Sequence, residues 1–291
     1  MKPTVFIQAN ERQFLGAKIS AHSFRRNARD PDGFDVRILH TRDFPRLADG
    51  SQTYLRAGEV TRWDPDDLQS FTPLRFYPPQ AMGFEGVAVV TDPDVFAVGD
   101  IGELFARDRQ GKAILGVERP GDKRRPFYIA SSVMLLDCSK LEHWRFDEEL
   151  DRLFGHEFDY FDWVHLGRED PGTIGTLEPE WNDFDRLTSG TKLLHTTKRR
   201  TQPWKTGLPI DFTVKVRTPG QALGRLWPWY RRHPDPNQEA LVFSLLAELA
   251  DSGEVTEEEL KREMAANHIR HDAPQLIDRY RGWDVRLALA A

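Results

Sequence analysis

Apolar positions in the first part of the chain fall into short runs on either side of a helically spaced segment. Residues 5–7 and 36–39 are rich in β-branched and aliphatic side chains over the length of a strand. Between them, apolar residues at positions 14 to 24 recur at roughly the spacing of one helical face. This order predicts a β-α-β unit, and such units form parallel sheets with right-handed crossovers.

The pattern continues in the same style up to residue 195. Residues 41–70 are rich in turn-forming residues and are predicted to be irregular. The elements predicted beyond them are strands at 87–90, 112–117, 127–137 and 192–195 and a short helix at 159–166.

After about residue 209 the apolar spacing becomes helical. Residues 239–250 carry an aliphatic stripe on one helical face. Thr256 and Glu259 have the form of a capping box that opens a further helix. We therefore predict an α/β protein with a mixed, mostly parallel sheet flanked by helices at residues 1–210, and a small helical C-terminal module at residues 211–291.

The run at 87–90 leads directly into Thr91-Asp92-Pro93-Asp94, so two carboxylates stand where the apolar run ends. Open α/β sheets bind ligands outside the carboxyl ends of their strands. Two carboxylates this close repel each other unless a cation lies between them, and hard divalent cations prefer oxygen ligands. The pattern predicts a metal site that faces a phosphorylated substrate.

Similar acidic triplets occur at Asp30–Asp32, Asp64–Asp66 and Asp183–Asp185. Asp-Pro steps commonly begin turns, and no apolar strand leads into the first two triplets. We interpret those two as surface turns and assign the metal to Asp92 and Asp94.

Composition narrows the functional class. A net charge of −6 over 291 residues argues against a nucleic-acid binder, whose affinity comes mostly from neutralised phosphates, although residues 123–125 and 198–200 are basic.

The single cysteine, Cys138, excludes an internal disulfide and fits a reducing compartment. It ends an apolar run and is interpreted as a core residue. No stretch approaches the roughly 20 apolar residues that span a bilayer. We expect a cytoplasmic protein, with peripheral membrane contact left open.

Three segments form a combined pattern: a strand with Asp-x-Asp and Gly-Asp at residues 89–101, Ser-Ser before an apolar strand at residues 131–137, and a short strand that ends in His195 and runs on to Pro203-Trp204. The pattern resembles the GT-A glycosyltransferases. It is most similar to the retaining family that includes bacterial lipopolysaccharide galactosyltransferases and glycogenin, glycosyltransferase family 8. The resemblance covers about residues 4 to 207.

By this resemblance the chain would move a hexose from a nucleotide sugar to a saccharide or lipid-linked acceptor, with retention, in polysaccharide biosynthesis. UDP is the expected nucleotide. Asp92, Asp94 and His195 would hold Mn²⁺ or Mg²⁺ against the diphosphate. Such a cation neutralises the charge that builds on the departing diphosphate.

The end of the first strand, at residues 8–10, also fits the family's nucleoside site. The amide oxygen of Asn10 would accept the uracil N–H, while capping of the following helix is the alternative role. The predicted donor contacts are Gln8, Ala9, Asn10, Arg12, Arg75, Thr91, Asp92, Ser131, Ser132, Lys198 and Lys205.

Several positions depart from the family pattern. Gln202 stands where the family has Lys before Pro-Trp, so the phosphate cation would come from Lys198, from the arginines at 199–200 or from Lys205. Ser131-Ser132 follows Ala130 where the family has Asn-Ala-Gly, and its hydroxyls would either bind the donor sugar or pack.

The departures extend to the catalytic face. The family's Arg before the metal strand aligns with Pro73, and Arg75 is the nearby substitute. The family carries acidic and glutamine residues on a helix near the anomeric carbon, and the matching segment here contains Asp159 and Asp162 without glutamine. Residues three apart share a helical face. Asp162 is the favoured contact to donor sugar or acceptor, with an exposed helix carboxylate as the alternative.

Two other interpretations stay open. A nucleotidyltransferase would share the α/β frame and a carboxylate-bound metal, but it would carry a Gly-rich basic loop after the first strand, where this chain has no glycine until Gly16. A catalytically degenerate GT-A domain would bind sugar nucleotides or act as a scaffold, with the helical tail as a docking face.

Overall fold

The computed structural model describes residues 1–121, 127–212 and 228–290. The basic cluster at residues 123–125 lies outside the described residues. The chain divides into two compact units, residues 1–183 with 192–194 and residues 184–191 with 195–291. These division points fall earlier in the chain than the predicted boundary after residue 210, which stays a prediction.

The described strands are β1 Thr4–Ala9, β2 Asp35–His40, β3 Thr53–Arg56, β4 Glu59–Arg62, β5 Val87–Thr91, β6 Val95–Ala97, β7 Ile114–Pro120, β8 Phe127–Asp137, β9 Ile174–Leu177, β10 Asp183–Phe184 and β11 Leu193–His195. The first unit is built on a six-stranded sheet in the order β2-β1-β5-β8-β7-β9. A second sheet has the order β10-β11-β6, and β3 pairs with β4.

Helices lie along the chain between these strands and after them. In the first unit they are α1 Phe14–Asn27, α2 Pro45–Ala48, α3 Pro78–Ala81, α4 Ile101–Phe105, α5 Phe146–Phe154 and α6 Tyr160–Val164. In the second unit they are α7 Pro236–Asp251, α8 Glu257–Ala265, α9 Ala273–Tyr280 and α10 Val285–Ala290. None of the helices within the described ranges is long and apolar enough to cross a bilayer.

The predicted β-α-β opening is confirmed, since β1 pairs with β2 and with β5 in parallel. The strand β8 is antiparallel to both of its neighbours, β5 and β7, and β7 pairs with β9 in parallel. The predicted mixed, mostly parallel sheet is therefore confirmed.

The prediction of irregular structure is wrong for residues 53–62, where β3 and β4 form an antiparallel hairpin. Its two-residue turn, Ala57-Gly58, has φ of 57° and 81°. Positive φ at both central positions is the geometry of tight hairpins, which usually carry Asn-Gly or Asp-Gly. Because Ala stands at the first position, the sequence lacked the usual hairpin signal.

Both faces of the large sheet are buried, which explains why β5 is a continuous apolar run. Ala88 and Val90 pack on one face in a cluster that contains Phe76 and Trp163. Val89 packs on the other face in the cluster that contains Phe24 of α1. Burying a large apolar side chain contributes about 1.5–3 kcal/mol, so these two layers hold the sheet edge in place.

A polar stripe on α1 fixes β6, the strand that follows Asp94. Ser20 Oγ donates to the carbonyl of Val95 at 2.6 Å, and Ser23 Oγ accepts from the amide of Ala97 at 2.8 Å. Asn27 Nδ2 donates to the carbonyl of Ala97 at 2.9 Å. Spacings of three and four residues put these side chains on one helical face. An apolar pattern cannot reveal such a stripe, and the sequence analysis missed it.

The second unit contains the predicted helices. The stripe of residues 239–250 is buried within α7, and Thr256 caps α8 by accepting from the amide of Glu259 at 3.1 Å. Lys205 is only 1% exposed, and its Nζ donates to Asp211 Oδ2 at 2.9 Å. Although burial alone would raise the pKa of Asp211, the Lys205 ammonium and the Tyr230 hydroxyl hold it below its usual range.

We predict that Gly16→Ala destabilises the protein, although Gly→Ala inside a helix usually stabilises it by up to about 1 kcal/mol. A Cβ at Gly16 would lie 3.0 Å from the carbonyl oxygen of Pro93, between the two aspartates. Thermal unfolding with circular dichroism measures the effect, with the exposed Arg25→Ala on the same helix as control. A higher melting temperature for Gly16→Ala would contradict the close approach of α1 to this turn.

Candidate metal centre

The carboxyl ends of β1 and β5 meet at one edge of the sheet. Ile7 pairs with Thr91, so Gln8 and Asp92 follow on adjacent strands. Gln8 Nε2 donates to Asp92 Oδ1 at 2.5 Å. The structure thus brings together residues 8–10 and the Asp-x-Asp segment, as the sequence predicts for a ligand site at this edge.

Asp92 is 6% exposed and pairs with Arg75, whose side chain is 11% exposed. Arg75 Nε donates to Asp92 Oδ1 at 2.9 Å, and Arg75 Nη2 pairs with Oδ2. The backbone amide of Asp92 donates to the carbonyl of Ser132 at 3.1 Å. A bidentate guanidinium fixes the orientation of a carboxylate. Arg75 therefore lies beside Asp92, and its contact with a donor stays a prediction.

The part of β8 that lies beside Asp92 contains a bulge and two serines. Gly116 pairs with Met134, but the next residue, Val117, pairs with Ala130, so residues 131–133 have no partner in β7. Bulges re-aim side chains and are frequent beside active sites. A Cβ at Gly116 would meet Ile129 at 2.5 Å, which explains the glycine at this register shift.

Both serine hydroxyls already have protein partners. Ser131 Oγ donates to the carbonyl of Val164 at 2.6 Å and accepts from Arg75 Nη1 at 2.9 Å. Ser132 Oγ accepts from Asn182 Nδ2 at 3.1 Å. These bonds favour the packing role for the serines, and direct contact with a donor sugar stays a prediction.

Asp92, Asp94 and His195 lie together. Each offers one ligand atom, and these atoms all lie within 4.8 Å of one another. His195 ends β11, which belongs to the same small sheet as β6, and β6 begins directly after Asp94. Two carboxylate oxygens and an imidazole nitrogen are ordinary protein ligands of a divalent cation, so the donor set fits a metal ion.

The two triplets assigned to turns behave as predicted. The amide of Gly33 donates to the carbonyl of Asp30 at 3.2 Å, and the amide of Asp66 donates to Asp64 Oδ1 at 3.0 Å. Asp185 stabilises a different loop, because its Oδ1 accepts a hydrogen bond from the amide of Lys198 at 2.9 Å. The preceding apolar strand, rather than the triplet, therefore distinguishes the candidate metal site.

The side chain of Asn10 does not cap the following 3₁₀ turn. Its Nδ2 donates to the carbonyl of Asp67 and to Ser70 Oγ, each at 3.0 Å. Three buried side-chain oxygens make no hydrogen bond with any described residue: Asn10 Oδ1, Gln8 Oε1 and Thr91 Oγ1. Buried polar atoms are nearly always paired, so these three oxygens at one edge are candidate acceptors for the donors of a ligand.

The two acidic residues of the predicted catalytic face differ in position. Asp159 lies outside α6 as its N-cap, which corrects the expectation that it shares a helical face with Asp162. Its carboxylate accepts from the amides of Phe161 at 2.8 Å and Gly58 at 2.7 Å. Asp162 is exposed on the first turn of the helix. A catalytic role for either residue stays a prediction.

The remaining predicted residues vary in exposure. Ala9 is buried in β1 and Arg12 is half-buried in the turn that follows. In the second unit, Lys198 is exposed, whereas the buried Lys205 ammonium also donates to the carbonyl of Asn267 at 2.8 Å. Burial raises the pKa of the Cys138 thiol to about 12, which fits a core residue and excludes a nucleophilic thiolate near neutral pH.

We predict that Arg75→Met lowers the free energy of unfolding by about 3–5 kcal/mol, because it leaves a buried carboxylate without its guanidinium. Added Mn²⁺ should raise the melting temperature more in this variant than in the unmodified protein, since the cation then supplies the missing positive charge. Calorimetry with and without Mn²⁺ measures both effects, with the exposed Arg62→Met as control. Equal stabilisation of all three proteins by Mn²⁺ would argue against this coupling.

No protein-family model and no curated protein matches the chain in sequence. Solved structures do match it. The apo form of the glycosyltransferase GlyE from Streptococcus pneumoniae TIGR4 is 15% identical, with a TM-score of 0.50 over 87% of this chain and 64% of its own. The galactosyltransferase LgtC, in complex with donor and acceptor sugar analogs, is 13% identical, with a TM-score of 0.48 over 69% of this chain and 89% of its own.

The bifunctional glycosyltransferase WbbM, in its apo form, is 14% identical, with a TM-score of 0.47 over 70% of this chain and 47% of its own. This chain therefore spans about half the length of WbbM and just under two thirds of GlyE. The likeness to GlyE, together with the sheet order and the strand directions, gives the chain the GT-A glycosyltransferase fold.

Proposed function

We propose that this protein is a metal-dependent glycosyltransferase that moves a hexose from a nucleotide sugar to a saccharide or lipid-linked acceptor. The observation that carries the proposal is the convergence of Asp92, Asp94 and His195 beside the unpaired polar atoms at the end of β1. A cation site and a nucleoside-sized set of acceptors at one sheet edge match the two ends of a nucleotide diphosphate. The GT-A fold is consistent with this chemistry.

The end of β1 would bind the nucleoside. Asn10 Nδ2 is anchored by Asp67 and Ser70, which turns Oδ1 into a fixed acceptor with no partner among the described residues. A uracil ring presents an N–H donor to such an oxygen, and this is the reason for proposing UDP. A site built to accept that hydrogen bond discriminates against a base that lacks the donor, because the buried oxygen would then stay unpaired.

Asp92, Asp94 and His195 would hold Mn²⁺ or Mg²⁺, which supplies Lewis-acid neutralisation of the diphosphate leaving group. Arg75 holds the Asp92 carboxylate in a fixed orientation. Lys198 and the arginines at 199–200 are the proposed phosphate cations. Lys205 remains a weaker candidate, because its ammonium is buried against Asp211.

The reaction would take place near α6, where Asp162 is exposed. We propose that Asp162 contacts the donor sugar or the incoming acceptor hydroxyl. Asp159 would help by capping α6, since its carboxylate is occupied by two backbone amides. Retention, with the leaving diphosphate taking the acceptor proton on the same face, is the stereochemical part of the proposal.

The test is hydrolysis of a panel of nucleotide sugars, with UDP-glucose and UDP-galactose compared against GDP-mannose, in Mn²⁺, Mg²⁺ or EDTA. We expect slow release of UDP that needs a divalent cation. Asp92→Asn and Asp94→Asn should each reduce kcat at least about 100-fold, as expected when an electrostatic contact to the transition state is lost. The matched control is Asp30→Asn with Asp32→Asn, which alters an Asp-Pro-Asp turn outside the site.

Calorimetric binding of UDP with Mn²⁺ separates the possible outcomes. Tight UDP binding without turnover would favour a degenerate sugar-nucleotide-binding module, an alternative supported by Gln202 and the buried Lys205. If no nucleotide sugar binds, or if the Asp92 and Asp94 variants behave like the control, the proposed function is wrong.

A further inference from the structure

A pocket of about 250 Å³ opens where β8 begins, and the proposed donor site does not use it. Its wall comes from the β7–β8 pair and from the residues that follow α6. The lining residues are Glu118, Phe127, Tyr128, Ile129, His165 and Gly167.

Aromatic rings form one side of this pocket. Tyr128 and His165 lie with ring centroids 5.5 Å apart, and His165 stacks on Phe161 at 5.6 Å with an interplanar angle of 12°. Phe127 is 60% exposed at the rim, an unusual position for a phenyl ring. An exposed aromatic beside a concave site is typical of a surface that packs against a ligand.

Two polar side chains in the pocket, Glu118 and Tyr128, have no hydrogen-bond partner among the described residues. Glu118 is exposed, and its carboxylate makes no ion pair or hydrogen bond with the described residues. The Tyr128 hydroxyl likewise has no hydrogen-bond partner in the described part of the chain. The Glu118 carboxylate would repel a phosphate, so the pocket favours an uncharged ligand that carries hydroxyl groups.

The pocket adjoins the candidate metal centre through two elements. Tyr128 precedes Ser131 by three residues of β8, a distance of about 10 Å along a strand. His165 directly follows Val164, whose carbonyl accepts from Ser131 Oγ. Ser131 in turn accepts from Arg75, which holds Asp92. The base-binding end proposed at Asn10 lies on β1, so this pocket is on the sugar side of Asp92.

We propose that this pocket binds a neutral saccharide and is the acceptor subsite of the transferase. Apolar faces of the sugar rings would pack on Phe127 and Tyr128, and sugar hydroxyls would donate to the Glu118 carboxylate and bond to the Tyr128 hydroxyl. The inference rests on the proposed glycosyltransferase function and adds to it a class of acceptor and the residues that select it.

The test is binding of the full chain, in UDP and Mn²⁺, to an array of neutral, sialylated and sulfated oligosaccharides. We expect binding to neutral glycans. Glu118→Ala and Tyr128→Phe should each weaken it, Glu118→Ala by about tenfold or more, because a hydrogen bond to a charged group is worth about 1.5–3 kcal/mol. Glu142→Ala, at another exposed glutamate, is the matched control and should bind as the unmodified protein does.

Donor hydrolysis, measured on the same variants, distinguishes this inference from the proposed function. Unchanged hydrolysis of the nucleotide sugar with weakened glycan binding supports an acceptor subsite. Binding to no neutral glycan, or binding that Glu118→Ala and Tyr128→Phe leave intact, overturns the inference even if hydrolysis proceeds. If saccharide binding depends on these residues but the protein hydrolyses no nucleotide sugar, the pocket is a saccharide-binding site. Its role as the acceptor subsite is then overturned.

Discussion

The structure of the site depends on one buried carboxylate. Asp92 is almost inaccessible to water, and a buried charge is costly unless it is paired and hydrogen-bonded. Arg75 supplies the opposite charge and Gln8 a further donor, and both contacts fix the orientation of the carboxylate beside Asp94 and His195.

Several local devices in the first unit maintain this arrangement. The pairing of β5 with β8 places Ser132 beside Asp92, and the polar stripe of α1 holds β6, which begins directly after Asp94. Ser131 ties the sheet to Val164 at the end of α6. The candidate metal ligands, the proposed nucleoside contacts and α6 are therefore connected by buried hydrogen bonds.

Much of the fold could be predicted from the sequence because both faces of the sheet are buried. The apolar runs at residues 87–90 and 127–137, the second interrupted by Ser131-Ser132, correspond to the central strands β5 and β8, and the helical spacing of residues 14–24 corresponds to α1. The hairpin at 53–62 could not be predicted, since Ala57 occupies a left-handed turn position that composition usually assigns to Asn or Gly.

The candidate site, like the fold, could be predicted only in part from the sequence. The Asp92–Asp94 pair was predictable because a strand leads into it, and His195 because a strand ends at it. The roles of single polar residues were not predictable. Asn10 does not cap and Asp159 does, and Gln8 and Arg75 both bind Asp92, because these contacts depend on neighbours distant in sequence.

The central claim is that Asp92, Asp94 and His195 bind one divalent cation together with a nucleoside diphosphate. Anomalous diffraction at the manganese edge, from crystals grown with UDP and Mn²⁺, tests it most directly. The account predicts a single anomalous peak within coordination distance of all three side chains and of the diphosphate. A manganese peak at another site, or bound UDP with no manganese beside these residues, would contradict it.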